Sequence, residues 1–301
     1  MAIATSNLAE LLYPGLQSIF GHKYAEHQPM YKKFFRIEKT NQSIIKEQGV
    51  TSLPTAALKE QGDEFSETSI FQGYQKEYLP EVYGLTVSIT REMVEDDQYN
   101  IIKQIPAMAA RSMIHTEETI HTNVLNNGFT AGDYAGPDGL ALFSTAHLLV
   151  AGGTFSNRPT AGTDLTQTAL ENAILDVMDY RDDQGKRLNI NPKKVVVPRS
   201  LHFAIKKILE TQYKVGSNDN DINIIANMNL EPIVTNFLTD QDAWFIVNDV
   251  ELGGLVSYVK REVETDKFSD DRTENLNMKI SKRFATGTPA DPRCVYGSPG
   301  A

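Results

Sequence analysis

The strongest periodic signal in the chain lies between residues 99 and 127. Apolar and small residues recur there at intervals of three and four, the spacing of one helical face: Ile101, Ile105, Met108, Ser112, Thr116, Ile120 and Val124. Thr90 is a candidate N-cap, Pro106 is expected to kink the helix or begin its second part, and Gly128 is a natural stop. A continuous helix over residues 99–127 would be roughly 43 Å long, which predicts a structural spine.

The first ninety residues show no comparable periodicity. Residues 1–41 predict an extended N-terminal arm with short helical pieces. Residues 42–89 are polar, contain Pro54 and Pro80, and end in an alternating pattern through Leu85, Val87 and Ile89, which predicts a long two-stranded hairpin. Because an isolated hairpin is marginally stable in water, we expect contacts outside the subunit's own core to hold it.

From residue 164 onward, helices and strands mix without regular alternation, which favours an α+β fold. The segment TDLTQTALENAILDVMDYRDDQG predicts a helix with a capping box at Thr168 and Glu171 and an end at Gly185. Its apolar face comprises Leu170, Ala173, Ile174, Val177 and Met178. A short buried strand at 195–197 is turned by Pro198 into another helix. Further strands are predicted in EPIVTNF, AWFIVND, GLVSYVKREVETD and LNMKISKRFATGT.

The charge balance of the 301-residue chain restricts its partners. It has 29 Lys and Arg against 39 Asp and Glu, a net charge of −10, which argues against a surface that neutralises phosphates. Two short basic segments are exceptions, YKKFFR at 31–36 and KISKRF at 279–284. In the second, Lys279, Ser281 and Arg283 would form one basic face. Both predict a solvated or inter-subunit face, and weak contact with DNA remains an alternative.

Other chemistry is limited by composition. No run of 18 apolar residues and no basic segment leading into an apolar one is present, so we expect neither a membrane span nor a secretory signal. Cys294 is the only cysteine, which excludes an intrachain disulfide and Cys₄ or Cys₂His₂ zinc sites and fits folding inside a cell.

The stretch GPDGLALFSTAHLLVAGG, residues 136–153, brings Ser144, Thr145 and His147 close together in sequence. A serine nucleophile with its histidine base is one interpretation. However, Leu142 and Ala146 stand where a Gly-x-Ser-x-Gly elbow needs glycines. We therefore predict a loop ordered by hydrogen bonds, with no catalytic residue, and we expect Ser144→Ala to abolish no enzyme activity.

Two clusters carry metal-ligating residue types without the spacing that a metal site needs. His115 and His121 flank Glu117 and Glu118, but a separation of six puts the histidines far apart around a helix, so surface or interface histidines are predicted. A calcium-loop-like segment comprises Asp219, Asn220, Asp221 and Asn223. It has Ile224 and Leu230 where calcium loops need glycine and an acid, so a solvated loop is predicted. His22, His27 and His202 stand alone. With no phosphate-binding glycine motif, no metal and no cofactor are predicted.

Three motifs in order then resemble one family. DGLALFSTAH, the segment from LTQTALENAILDVMDYRDDQG through VVVPRSLHFAIKKIL, and the ending KRFATGTPADPRCVYGSPGA resemble the major capsid proteins of tailed bacteriophages, particularly the Mu-like major head subunits. The resemblance covers residue 70 to the end. It implies a capsid fold of the Hong Kong ninety-seven type, built from an N-terminal arm (1–41), an extended loop (42–89), a peripheral domain with a spine helix (90–163), an axial domain (164–263) and a C-terminal strand returning to the peripheral domain with a tail (264–301).

The same resemblance implies a structural protein, not an enzyme. Pentamers and hexamers would form an icosahedral head shell around double-stranded DNA, in a virion assembled in the host cytoplasm. A separate scaffolding protein, a portal and a possible decoration protein are implied partners. Lys46, Lys59 and Lys76 lie in or near the loop, but no motif assigns them a cross-linking role. The alternatives are an encapsulin-like nanocompartment and a Ser/His hydrolase.

Overall fold

The computed structural model describes residues 5–50, 53, 55–56, 58–62, 64–65, 67, 72–90, 92–93, 96, 101–149, 152–211, 222–249, 254–270 and 275–301. Its α-helices longer than two residues are α1, Thr5–Glu26; α2, Ile101–Asn126; α3, Gln167–Met178; and α4, His202–Glu210. Short 3₁₀ helices occur at Met30–Lys33, Arg199–Leu201, Ile225–Met228 and Pro292–Cys294. No described helix combines the length and the hydropathy of a membrane span.

Four strands form the long-strand sheet, in the order β1, β10, β11, β4. Its members are β1, Arg36–Lys39; β4, Glu81–Ile89; β10, Val256–Asp270; and β11, Asn275–Thr286. β1 runs parallel to β10, and the other pairs are antiparallel. Helices α1 and α2 cover one face of this sheet. The shared core comprises Leu16, Phe20, Ile89, Ile102, Ala109, Ala110, Met113, Leu276, Met278 and Ile280.

Four other strands form the short-strand sheet, in the order β12, β9, β7, β8. They are β7, Asn191–Pro198; β8, Glu231–Thr235; β9, Trp244–Asp249; and β12, Val295–Ser298. Val195, Val197 and Trp244 face α3 and α4, whereas Val196 and Phe245 face the end of α2. Because both faces are covered, the strands read as continuous apolar runs, and the predicted strands and the turn at Pro198 are confirmed.

The spine helix is confirmed, but its predicted buried face is largely wrong. α2 has 26 residues, about 39 Å at 1.5 Å per residue, and runs unbroken through Pro106. Ile101 and Met108 from the predicted face are 50% and 64% exposed. The helix instead buries Ile102, Pro106, Ala109, Ala110, Met113, Ile114, Glu117, Glu118, His121, Thr122, Val124 and Leu125. The hydrophobic pattern missed this face because its centre is polar.

Both ends of the spine region follow the expected punctuation. The hydroxyl of Thr90 accepts a hydrogen bond from the Met93 N–H, as an N-cap does. After Asn126, Gly128 closes the turn by donating to the Leu125 carbonyl. Packing requires a glycine at position 128, because a Cβ there would lie 2.6 Å from the ring of Phe143.

The N-terminal segment is helical where an extended arm was predicted. α1 packs along α2, and β1 joins the long-strand sheet, so residues 13–39 are integrated into the subunit. The predicted hairpin is shorter than expected. It consists of β2, Ile45–Val50, paired with β3, Gln72–Tyr78, whereas β4 pairs with β11 along its whole length.

Three local predictions for α3 meet different outcomes. The apolar face is confirmed except for Met178, which is 41% exposed. The capping box is wrong, because Thr166 is the N-cap, with its hydroxyl accepting from the Ala169 N–H at 3.1 Å. Gly185 does not end the helix, which stops at Met178. It lies in a later turn with φ of +76°, where the Asp182 carboxylate accepts from the backbone N–H groups of Gln184 and Lys186.

The C-terminal region is divided between the two sheets. β10 crosses the predicted boundary at 263/264 and pairs with β11 on both sides of it. The last strand, β12, pairs with β9 in the short-strand sheet. The tail therefore closes the edge of the second sheet, while β11 lies at the centre of the first.

Candidate functional site

The loop that carries Ser144 and His147 is held by a buried hydrogen-bond network. His147 is 0% exposed and lies in the short strand β5, His147–Leu148, which pairs with β6, Thr154–Phe155. Its Nδ1 lies 2.6 Å from Oδ2 of Asp138, and its Nε2 lies 3.0 Å from the carbonyl oxygen of Leu142. Both ring nitrogens thus face oxygen atoms, and Nδ1 faces a carboxylate.

The electrostatics of Asp138 agree with this pairing. Burial raises the pKa of its carboxyl, but the hydrogen bond and the charge of His147 outweigh burial and lower that pKa below the ordinary 3.8. The side chains of Asp138 and His147 are 3% and 0% exposed. The pair therefore acts as an internal clamp that closes the loop between residues 138 and 147.

Ser144 makes two hydrogen bonds within the loop. Its N–H donates to Oδ1 of Asn157 at 2.9 Å, and its hydroxyl accepts from the Ala146 N–H at 3.3 Å. Asn157 is buried and also donates to the carbonyl of Leu142 at 2.7 Å. The partners of both His147 nitrogens are Asp138, Leu142 and Asn157, so the geometry is that of a structural loop, as predicted.

The two spine histidines occupy unlike environments. His115 is exposed, with its ring edge against Phe237. His121 is buried between the rings of Tyr31 and Phe284, with centroids 3.8 and 5.2 Å away. Burial lowers the pKa of His121 to about 3, so the ring is neutral, with Nδ1–H donating to the Glu117 carbonyl. His121 was predicted to lie at a surface or interface and is instead in the core.

Glu117 and Glu118 form the centre of a cluster that sequence reasoning missed. Both are 0% exposed. Glu117 is paired with Lys282 of β11 at 2.8 Å and accepts from the hydroxyls of Tyr24 and Tyr31 at 2.5 and 2.9 Å. Glu118 accepts hydrogen bonds from the backbone N–H groups of Met30 and Tyr31. The available sequence signal was the pair of adjacent acids within an otherwise uncharged turn of the helix.

The basic segments and the calcium-like loop serve internal structure where they are described. In YKKFFR, the rings of Tyr31, Phe34 and Phe35 are buried in the core. In KISKRF, Lys282 is buried, which contradicts a fully solvated segment, while Lys279 is exposed. Asn223 is buried and donates to the carbonyls of Ile208 and Thr211, whereas Asp219, Asn220 and Asp221 lie outside the described residues. The described residues contain no group of three His, Cys, Asp or Glu suited to a metal.

The hairpin formed by β2 and β3 has a held base and an uncovered tip. Ile45 and Tyr78 are buried against Val256, Tyr258 and Ala285 of the long-strand sheet. The hydroxyls of Tyr78 and Tyr258 both donate to the Glu47 carboxylate. The subunit's own core therefore holds the base, contrary to the prediction of an unsupported hairpin.

The tip carries apolar side chains that the subunit does not bury. Leu58 is 92% exposed and Phe65 is 80% exposed. The only contact described for the Phe65 ring is the Lys59 ammonium, 4.8 Å from its centroid. Large apolar side chains that are this exposed are typical of a contact with another molecule.

The chain combines a spine helix packed on a long-strand sheet, a two-stranded hairpin and a second sheet with helices. Its similarity to known proteins identifies the family. The profile of the family described as phage capsid protein matches residues 73–298. The chain belongs to the phage capsid family. None of the curated proteins compared matches it.

Three solved structures illustrate the likeness of this capsid protein. The virus-like particle from Pyrococcus furiosus has 8% identity and a TM-score of 0.58, with 95% of this chain and 99% of that chain covered. The capsid of cyanophage P-SCSP1u has 12% identity and a TM-score of 0.57, covering 87% and 85%. Microbacterium phage Oxtober96 has 13% identity and a TM-score of 0.56, covering 87% and 85%. The capsid protein therefore has the Hong Kong ninety-seven type fold and is a structural, shell-forming protein.

Proposed function

We propose that the chain is the major head subunit of a tailed phage, assembling as pentamers and hexamers into an icosahedral shell around double-stranded DNA. The observation that carries this proposal beyond the family is the hairpin tip, where Leu58 and Phe65 are exposed at the end of an anchored strand pair. A neighbouring subunit is the occupant that a shell supplies at every copy. The chain then belongs to the virion capsid, assembled in the host cytoplasm without a catalytic role.

The partners follow from the same proposal. A separate scaffolding protein guides closure, a portal occupies one vertex, and a decoration protein can cover the exterior. The net charge of −10 supports weak contact with packaged DNA, since a closed container retains DNA without neutralising its phosphates. We keep the proposed domain scheme but assign β1, β4 and all of β10 to the peripheral domain, because these strands form one sheet with β11.

The direct test is electron microscopy of the protein expressed alone and with the products of its neighbouring genes. Closed shells, tubes or capsomer rings are expected. Particles that retain double-stranded DNA when the packaging genes are present support the head shell, whereas particles that enclose an enzyme would favour the nanocompartment. A protein that stays monomeric under both conditions contradicts the proposal.

The hairpin contact is tested with point variants at the tip. Deletion of the whole hairpin would not isolate the tip, because it would also remove Ile45 and Tyr78 from the subunit core. Leu58→Ser with Phe65→Ser changes the exposed tip alone, and Gln61→Ser is the matched control in the same exposed turn. We expect folded subunits of the double variant that fail to close shells, with normal closure for the control. Normal shells from the double variant would show that the tip is not an inter-subunit contact.

A further inference from the structure

Helix α1 is built from a sequence that disfavours helix formation. Pro14, Gly15 and Gly21 all lie inside it. Relative to alanine, an interior proline weakens a helix roughly a hundredfold and each glycine about fivefold. The helix therefore depends on its docking against the rest of the subunit, as amphipathic helices in proteins generally do.

The two glycines are not required by the packing of the docked helix. A Cβ at Gly15 or Gly21 would meet no atom within 4 Å, and neither residue has a positive φ. At Gly297, by contrast, a Cβ would lie 2.8 Å from the Phe143 ring. Weak helix formation in α1 is thus a property of its sequence that the docked state does not demand.

From residue 13 onward, where its side chains are described, α1 docks through apolar side chains and through tyrosine hydroxyls, of which that of Tyr13 donates to the Thr265 carbonyl at 2.7 Å. α1 buries Leu16 and Phe20 fully and Tyr13 and Tyr24 in part. These side chains cover an apolar strip composed of Ala109, Ala110 and Met113 of α2 with Met278 and Ile280 of β11. At the end of the apolar strip, the Tyr24 hydroxyl donates a hydrogen bond to Glu117 at 2.5 Å. Glu117 is itself held by a buried ion pair with Lys282.

The chain beyond α1 has an anchor of its own at Glu118. Met30 and Tyr31 donate their backbone N–H groups to Glu118, and the Tyr31 ring stacks on His121. The Tyr31 hydroxyl also donates to Glu117, so it shares that carboxylate with Tyr24. His27 and Gln28 are exposed and outside the helix, whereas Pro29 is buried. The helix can therefore leave its docking surface by a change at residues 27–28 while Tyr31 stays in place.

We propose that α1 is a conformational latch, helical while Tyr24 is docked on Glu117 and released as a unit by opening at residues 27–28. Release uncovers the apolar strip on α2 and β11. The latch is a property of the single subunit, and its test does not depend on shell formation.

Hydrogen exchange of the full-length, unassembled protein tests the latch, with α2 amides over residues 109–125 as the internal reference. We expect α1 amides to exchange faster than these. Tyr24→Phe should accelerate α1 exchange about tenfold, because it removes a hydrogen bond to a charged group. Gly15→Ala with Gly21→Ala should slow it about 25-fold. Exchange of the reference amides should not change.

Two further measurements make the result decisive. Tyr83→Phe is the matched control, because that hydroxyl donates to the exposed Glu81 on β4, away from α1. Binding of a hydrophobic dye should rise in Tyr24→Phe and fall in the double glycine variant, following exposure of the apolar strip. Equal protection of α1 and α2 in the unaltered protein, or α1 exchange that none of these substitutions changes, would overturn the proposal.

Discussion

The two sheets of this capsid protein reach the same burial by different means. In the short-strand sheet, Val196, Trp244 and Ile246 are each 0% exposed and lie among apolar neighbours. In the long-strand sheet, a buried position on β11 holds Lys282, paired with Glu117, beside an apolar core. The first region depends on apolar volume at these positions, whereas the second adds a buried charge pairing to its apolar core.

This difference has an energetic consequence. Apolar burial stabilises by roughly 25 cal/mol per Å² and tolerates exchange of one apolar residue for another of similar size. A buried ion pair contributes little net stability, but removal of one partner strands the other charge in the core. The long-strand region should therefore fail abruptly at one residue, whereas the short-strand region should weaken in proportion to the volume removed.

The largest expected effect is that of Lys282→Met. It leaves Glu117 charged, buried and without its cation, which should reduce the free energy of unfolding by about 3–5 kcal/mol. Urea denaturation of the unassembled subunit measures this loss. Lys279→Met on the exposed side of the same strand is the control, with an expected change within about 0.5 kcal/mol.

A second variant decides whether the loss comes from the stranded charge. Glu117→Gln added to Lys282→Met removes both charges and should recover much of the lost stability. Strictly additive losses in the double variant would mean that the two residues act independently, and the contrast between the sheets would lose its basis.

The next effect concerns the apolar sheet. Ile246→Ala should cost about 2–5 kcal/mol and Ile246→Val about 0.5–1.5 kcal/mol, because the cost follows the methyl groups removed from a fully buried site. The same denaturation experiment compares the two. A valine variant as unstable as the alanine variant would show that this sheet, too, depends on a specific fit rather than on volume.

The loop closed by Asp138 and His147 tests the comparison from the other side, because it places a buried carboxylate beside the apolar short-strand region, where Phe143 packs on Phe245. Asp138→Asn should lower the free energy of unfolding by about 1–2 kcal/mol at neutral pH, because a charge-assisted hydrogen bond becomes an ordinary one.

The pH dependence of this loss tests the pairing. The pKa of Asp138 in the folded protein lies below 3.8, so its contribution to stability is complete above that pH and is lost as the pH falls through the folded pKa. The difference between the two proteins should therefore shrink below pH 3.8. A difference that stays constant to lower pH would contradict the pairing with His147.

The same contrast explains what could be predicted from the sequence. The strands at Val196 and Ile246 were found because apolar runs bounded by proline and polar residues identify buried strands without knowledge of their partners. The face of α2 was misplaced because Glu117 and His121 are polar by type and become core residues only through Lys282 and Tyr31, which are distant in sequence. Hydrophobic periodicity contains no information on such partners.

The loop around Ser144 and the hairpin formed by β2 and β3 show the same limit of prediction from sequence. The sequence predicted a loop ordered by hydrogen bonds, and the structure shows such bonds around Ser144, but the sequence did not indicate Asp138 and Asn157 as the partners of His147. The two strands of the hairpin lie within the polar segment where a hairpin was predicted. The burial of Ile45 and Tyr78, however, depends on a strand about 200 residues away in the sequence. The resemblance to the family is visible in the sequence because each of its motifs is one contiguous segment.

The smallest effect concerns the start of α3, the helix that covers the apolar sheet. Local spacing predicted Thr168 as the cap, whereas the structure has Thr166 accepting from the Ala169 N–H. Thr166→Ala should cost about 1 kcal/mol, because an N–H at the helix start loses its acceptor. Thr168→Ala is the matched control, since Thr168 is exposed within the first turn and alanine is the better helix former, so a change of a few tenths of a kcal/mol toward greater stability is expected. The reverse order of the two variants in urea denaturation would restore the capping box at Thr168 and Glu171, and with it the later start of the helix.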